Sequence, residues 1–194
     1  MLNPIFKDKS LLRDLWMSQY SHYQSSFASW SQEICRYLQS HPAFLKANRV
    51  AIFYPRLWEV NLLSLWQQRP QVCGFPKTDA KSWEMHFYWV KSLNSQEMGP
   101  GVGGIFEPIN FKGRELAPFE KQDLILVPGV AFDNQGGRVG SGKGVYDRFL
   151  SGEGKAAQKW GVAFSPQIRS ENIPLEPHDS LLDSLVTEKG FIYF

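Results

Sequence analysis

No apolar run in this chain approaches the roughly 18 residues that a membrane-spanning helix needs. Its first residues, Met1-Leu-Asn-Pro-Ile-Phe-Lys-Asp-Lys9, mix charges where a secretory leader would be continuously apolar. A membrane partner and an export route are therefore not expected. Cysteine is scarce as well: Cys35 and Cys73 stand alone, without metal-ligand spacing, and read as two reduced, buried thiols. A reducing compartment follows, and the cytoplasm is the expected location. Neither sign of charge dominates, because 21 Lys and Arg face 19 Asp and Glu for a net charge of +2. That balance lacks the dense basic surface that nucleic acid demands and leaves small anionic ligands open.

Aromatic side chains, by contrast, are plentiful, with seven Trp, seven Tyr and 14 Phe in a chain that is 43% apolar. Their simplest use is in the core and in pocket walls of a folded globular protein. The length of 194 residues fits a single domain spanning residues 1–194, and no repeat or low-complexity tract divides it.

After Pro4 the first forty residues read as helical. Leu11, Leu12, Leu15 and Trp16, then Phe27, Trp30, Ile34 and Leu38, recur at helical spacing, with a break near Ser25-Ser26 and a stop at His41-Pro42. Val50 to Tyr54 reads as a buried strand, residues 58–68 as a helix, and Val72 to Phe75 as a short strand. Trp83 to Val90 alternates its bulky residues in strand fashion. Residues 92–114, rich in Gly, Pro and Asn, read as an extended surface segment. Leu124 to Val127 is the next buried strand, Gly144 to Ser151 a helix and Trp160 to Phe164 a further strand. Leu185 to Thr187 and Phe191 to Phe194 form a terminal hairpin across Lys189-Gly190. Strands alternating with helices predict an α/β fold with a largely parallel sheet, whose ligands sit beyond the carboxyl ends of the strands.

The chemistry concentrates directly after Leu124 to Val127, in Val127-Pro-Gly-Val-Ala-Phe-Asp-Asn-Gln-Gly-Gly-Arg-Val-Gly-Ser-Gly-Lys-Gly-Val-Tyr-Asp-Arg148. Glycines let backbone N–H groups approach an anion closely, so the stretch suits phosphate. Gly137-Arg-Val-Gly-Ser-Gly-Lys143 fits the G-x-x-x-x-G-K of nucleotide-binding loops, but Gly144 follows where that motif needs Ser or Thr for Mg²⁺. The metal would need another ligand, and Asp147 is the nearest carboxylate. A mobile Gly-rich hairpin with solvated charges is the plain alternative.

Val127-Pro-Gly-Val-Ala-Phe-Asp133 with Gly137 to Arg148 resembles the long signature of 5-formyltetrahydrofolate cyclo-ligases, also called methenyltetrahydrofolate synthetases. Weaker matches cover almost the whole chain: Lys9-Ser-Leu-Leu-Arg13, Tyr54 to Glu59, Met85 to Phe87, Gly104 to Pro108 and Pro174 to Asp179. The resemblance implies a three-layer α/β sandwich of the CoA transferase-like kind, with a largely parallel central sheet flanked by helices. It also implies Mg²⁺- and ATP-dependent cyclisation of 5-formyltetrahydrofolate to 5,10-methenyltetrahydrofolate, with release of ADP and phosphate. In that chemistry the γ-phosphoryl group activates the formyl oxygen, N10 attacks, and phosphate leaves. No covalent protein nucleophile is required, so the enzyme supplies positioning and electrostatics.

On that resemblance Arg138 and Lys143 are the catalytic cations. ATP falls to Lys9, Ser10, Leu11, Leu12 and Arg13 together with Arg138, Val139, Gly140, Ser141, Gly142, Lys143, Gly144, Val145 and Tyr146. Tyr54 and Glu59 would bind the folate, Tyr54 by stacking on the pterin and Glu59 by accepting its N–H groups; Trp83, Met85 and Phe87 would line the same pocket. Asp147 and Asp179 would hold Mg²⁺, while Asp133 would form a turn and His178 would order its loop. The paired tyrosines common in the family are here Val145-Tyr146. Small-molecule substrates, and a monomer rather than an oligomer, are the expected company. Two other readings remain: a sugar-phosphate- or nucleotide-binding α/β protein without folate chemistry, and a regulator that keeps the loop without turnover.

Overall fold

The computed structural model describes residues 8–194. The first helix, α1 (Lys9–Gln19), starts where Asp8 accepts the N–H of Ser10 at 2.7 Å, an N-cap that satisfies an otherwise unpaired donor. The expected start just after Pro4 lies outside the described residues. A 3₁₀ segment (Tyr20–Ser26) separates α1 from α2 (Phe27–Ser40), in line with the break read near Ser25-Ser26. Pro42 ends α2 but then serves as the first residue of a short helix, α3 (Pro42–Lys46), because the missing N–H of proline costs nothing there.

Among the described residues seven strands form the central sheet. In chain order they are β1 (Val50–Ala51), β2 (Cys73–Thr78), β3 (Met85–Trp89), β6 (Leu124–Val127), β9 (Gln158–Val162), β11 (Ser184–Thr187) and β12 (Gly190–Tyr193). They lie in the order β12-β11-β9-β6-β1-β2-β3, parallel throughout except for antiparallel β12 and β3 at the two edges. Helices α4 (Leu63–Gln68) and α5 (Val145–Ser151) complete the regular helices. Two small sheets flank the main one. One is the hairpin β4 (Met98–Pro100) with β5 (Phe106–Pro108); the other orders β10 (Ile168–Arg169), β7 (Ala131–Asp133) and β8 (Arg138–Val139).

β1, β6 and β11 are buried along their whole length, and the alternation of the strands divides the interior in two. Val50, Leu124, Leu126, Trp160 and Val186 face Leu12, Trp16, Ile34 and Leu38 of α1 and α2. Ala51, Ile125, Val127 and Leu185 face Phe149 and Leu150 of α5, with Leu116 and Phe119 beside them. The result is the expected layered α/β sandwich. Cys35 and Cys73 are both buried and unpaired, and burial pushes the Cys73 thiol up to about 12. No helix among the described residues is long and apolar enough to cross a membrane.

Several boundaries differ from the sequence expectation. The helix expected over residues 58–68 begins only at Leu63, because the chain between β1 and α4 is spent on an irregular loop that carries Tyr54 and Glu59. Trp83 is not a strand residue, since its φ of 58° turns the chain before β3 starts. The extended segment expected over residues 92–114 instead contains the β4–β5 hairpin, with Glu97, Met98, Glu107 and Pro108 buried. The Trp83 turn is closed by Asp79 just before it, and the other two misses arise from tertiary packing that local pattern does not encode.

Candidate active site

The Gly-rich stretch leaves β6 at the centre of the sheet, runs through the β7–β8 hairpin and ends in α5. Asp133 shapes the hairpin: its carboxylate accepts the N–H of Gln135 at 2.8 Å and of Gly137 at 2.7 Å, and reaches across to Ile173 N–H at 2.7 Å. That is a turn-forming acid, as expected, with an added tie to a distant loop. Beyond β8 the backbone takes positive φ at Gly142 (93°) and Gly144 (61°), conformations that a side chain there would disfavour.

Arg138 projects from β8 into the interior, its side chain only 4% exposed. Its Nη2 donates to Asp147 Oδ1 at 2.7 Å and its Nη1 to the Pro128 carbonyl at 3.4 Å, while Nε has no partner among the described residues. Helix α1 crosses over the loop and brings two further cations. Arg13 Nε donates to the Gly140 carbonyl at 2.7 Å, and Lys9 pairs with Asp179 and, at 3.5 Å, with Glu176. Four residues apart on one helix face, Lys9 and Arg13 thus reach the same loop together. Burial alone would raise the Asp179 carboxyl, but the Glu176 N–H and Lys9 outweigh it and hold it below the usual carboxylate range.

These groups border a small polar cavity of about 180 Å³, lined by Lys9, Arg13, Arg138, residues 140–142 and 144–147, Glu176, His178 and Asp179. Ser10, Leu11, Leu12 and Val139 do not reach it. Ser10 bonds to Asp8, Leu11 points outward, and Leu12 and Val139 are fully buried in the core. His178 is exposed and lies 3.5 Å from Glu176, in keeping with a loop-ordering role.

A second, larger cavity of about 430 Å³ adjoins the first. Its walls are mostly apolar and aromatic, including Tyr54, Trp58, Trp83 and Met85, with Arg56, Glu59, Glu107 and Lys143 among the polar groups. Arg13, Arg138, Gly140, Ser141, Val145 and Tyr146 border both cavities and form the partition between them. Lys143 faces this second cavity and does not line the first. Glu59 accepts the N–H of Arg56 at 2.9 Å, and burial raises its carboxyl above the ordinary value. The Tyr146 hydroxyl is buried and has no hydrogen-bond partner among the described residues; burial first, and the neighbouring Glu59 charge second, push it upward and keep it protonated.

Three features were not legible in the sequence. Phe87 does not line the cavity but packs against Phe119 and Phe149. Phe106, from the β4–β5 hairpin, stacks on Tyr54 with ring centroids 5.3 Å apart. Glu107 is buried beside the cavity and accepts the Thr78 N–H at 3.3 Å. The hairpin lies some fifty residues beyond Tyr54 in the chain, and no local signal brings it there.

Comparison with known proteins gives one consistent answer. The sequence model of the 5-formyltetrahydrofolate cyclo-ligase family matches residues 6–188. The mitochondrial 5-formyltetrahydrofolate cyclo-ligase of Arabidopsis thaliana is 25% identical over 98% of this chain and 78% of its own length. The 5-formyltetrahydrofolate cyclo-ligase of Haemophilus influenzae is 30% identical over 73% of this chain and 76% of its own. The solution structure of Aquifex aeolicus 5,10-methenyltetrahydrofolate synthetase superimposes with a TM-score of 0.78 at 34% identity, covering 95% of this chain and 92% of that one.

Proposed function

The chain belongs to the 5-formyltetrahydrofolate cyclo-ligase family, and from that premise we propose that it closes 5-formyltetrahydrofolate to 5,10-methenyltetrahydrofolate at the expense of ATP, its two adjoining cavities taking one substrate each. The observation that carries this reading is the shared partition: Arg138 and Tyr146 border both cavities at once. A phosphoryl group passing from a nucleotide in the polar cavity to an acceptor in the aromatic one would cross beside them.

The polar cavity suits a triphosphate. Lys9 and Arg13 from α1, Arg138 from β8 and the backbone of Gly140, Ser141, Gly142 and Gly144 converge on it without a covalent nucleophile among them. Asp147 and Asp179 fit Mg²⁺, an ion usually held by one or two carboxylates plus phosphate oxygens and water. Among the described residues no cluster of three or more Asp, Glu, His or Cys makes a metal cage, so the phosphates would have to complete the shell. Bound there, the ion would neutralise charge on the phosphates. Both carboxylates are now engaged by cations, Asp147 by Arg138 and Asp179 by Lys9. Arrival of Mg-ATP would exchange these partners, freeing the cations for phosphate and the carboxylates for the metal.

The aromatic cavity suits a pterin. Tyr54 offers a ring for stacking, Glu59 accepts from ring and amino N–H groups, and the unpaired Tyr146 hydroxyl offers a neutral donor near the partition. The formyl oxygen attacks the γ-phosphorus and ADP departs; N10 then adds to the activated carbon, gives up its proton to solvent, and phosphate is expelled. Arg138 would stabilise charge on the transferring group with its planar fork, and Lys143 would meet it from the folate side. The protein acts as one domain, with no nucleic acid partner, and its buried free thiols fit a reducing, cytoplasmic setting. Purified protein given Mg-ATP and 5-formyltetrahydrofolate should develop the absorbance of methenyltetrahydrofolate. Absence of product while both ligands bind would sink the reading.

A further inference from the structure

Trp83 is the one non-glycine residue with positive φ among those described, a conformation costly for a bulky side chain and seen where surrounding structure enforces it. Here the turn between β2 and β3 enforces it. Asp79 accepts the N–H groups of Lys81 and Ser82, each at 2.8 Å, and the Trp83 N–H donates to the Asp79 carbonyl at 3.0 Å. Arg148 Nη2 then donates to the Trp83 carbonyl at 3.2 Å, which ties this turn to α5 at the far end of the Gly-rich loop. The outcome is an indole face presented to Lys143, whose Nζ lies 5.2 Å from the ring centroid.

Lys143 sits between Gly142 and Gly144 on an exposed stretch, and its ammonium has no hydrogen bond or salt bridge among the described residues. A lysine so placed would otherwise spread over many rotamers in water. We infer that Trp83 is a positioning residue for Lys143, holding the ammonium at the edge of the folate-side cavity until the phosphoryl group arrives; this rests on the role proposed above for Lys143. The ring does this in a way that a carboxylate cannot. Lys9 and Arg138 are each neutralised by an aspartate, whereas an aromatic face attracts the cation through its quadrupole and leaves the positive charge uncancelled and the ammonium protons free.

The test is a double-mutant cycle on kcat with Trp83→Leu and Lys143→Met. Trp83→Leu should lower kcat by about 2- to 30-fold, the equivalent of a cation–π contact worth about 0.5–2 kcal/mol. Trp83→Phe should restore part of the loss, and in the Lys143→Met background Trp83→Leu should have little further effect. Equal losses in both backgrounds would overturn the inference, because a merely structural role costs the same whether Lys143 is present or not. A second readout needs no turnover. Labelling with acetic anhydride, followed peptide by peptide, should modify Lys143 at least about twofold faster in Trp83→Leu, with exposed Lys155 unchanged as the reference. An unchanged Lys143 rate would likewise overturn it. A wild-type protein that labels as expected yet fails to cyclise would count against the functional reading alone. If Trp83→Leu does not fold, Trp83→Gly removes the ring and the strained backbone together and carries both measurements.

Discussion

The buried pair of Arg138 and Asp147 makes a quantitative prediction for the ligand-free protein. Arg138 is 4% exposed and Asp147 16%, and the 2.7 Å bond between them gives the guanidinium its one salt bridge among the described residues. What would remain after Asp147 is truncated is the 3.4 Å contact to the Pro128 carbonyl, with Nε already unpaired. Asp147→Ala therefore strands a buried cation, which costs about 3–5 kcal/mol. Asp147→Asn is different, because its amide oxygen can accept the same N–H. It gives up only the charge assistance, the difference between a charged and a neutral hydrogen bond, or about 1–2 kcal/mol. In a chain of this size each kcal/mol lowers the thermal midpoint by about 2–4 °C. Calorimetry without ligand should then show losses of about 6–20 °C for Asp147→Ala and about 2–8 °C for Asp147→Asn. Two results would refute the reasoning: equal losses for the two variants, or an alanine variant within about 2 °C of the wild type. The second would mean that water screens the pair despite its burial.

Glu59 and Gly142 give two further expectations. Burial raises the Glu59 carboxyl above its ordinary value of 4.5, so acidification should protonate it and weaken folate binding with a midpoint above 4.5, while Glu59→Gln should bind weakly with no such midpoint; identical pH profiles for the two proteins would remove Glu59 from recognition. The same raised carboxyl takes up a proton on folding, so its contribution to stability should decline as pH rises from 4.5 through the raised value. Gly142→Ala places a side chain at φ 93°, where its Cβ would lie an ordinary 3.4 Å from Arg13 Cζ, so the penalty is conformational rather than steric. A backbone cost of about 1–2 kcal/mol predicts a rise of about 5- to 30-fold in KM for ATP with folate affinity intact. An unchanged KM for ATP would show that the loop does not need its left-handed turn.

Much of the fold was legible because the central strands are short, continuous apolar runs. Leu124 to Val127 needs no partner to be recognised, and the pattern of α1 and α2 follows from one apolar stripe each. Legibility failed where a segment takes its shape from contacts elsewhere. The β4–β5 hairpin has no apolar alternation of its own, and the loop carrying Glu59 looked helical because its residues suit a helix. The backbone sign at Trp83 is invisible to any apolar pattern, although the turn that enforces it is closed by nearby Asp79 and only tied to α5 by Arg148.

For the candidate site the division is sharper. The sequence by itself determined the Gly-rich loop, because the glycines at 140, 142 and 144, Arg138 and Asp147 are neighbours along the chain and the backbone that joins them is set by their own spacing. Only the tertiary structure decided what faces that loop. Lys9 meets Asp179 across 170 positions, and Arg13 meets Gly140 across 127. Such encounters depend on how α1 lies over β7 and β8, which no local interaction fixes. The structure also turned Lys143 away from the polar cavity toward the aromatic one, through a ring sixty residues upstream. The physical reason is common to both cases: a backbone loop is specified by the conformational preferences of its own residues, whereas a side chain's partner is specified by the packing of the whole sheet.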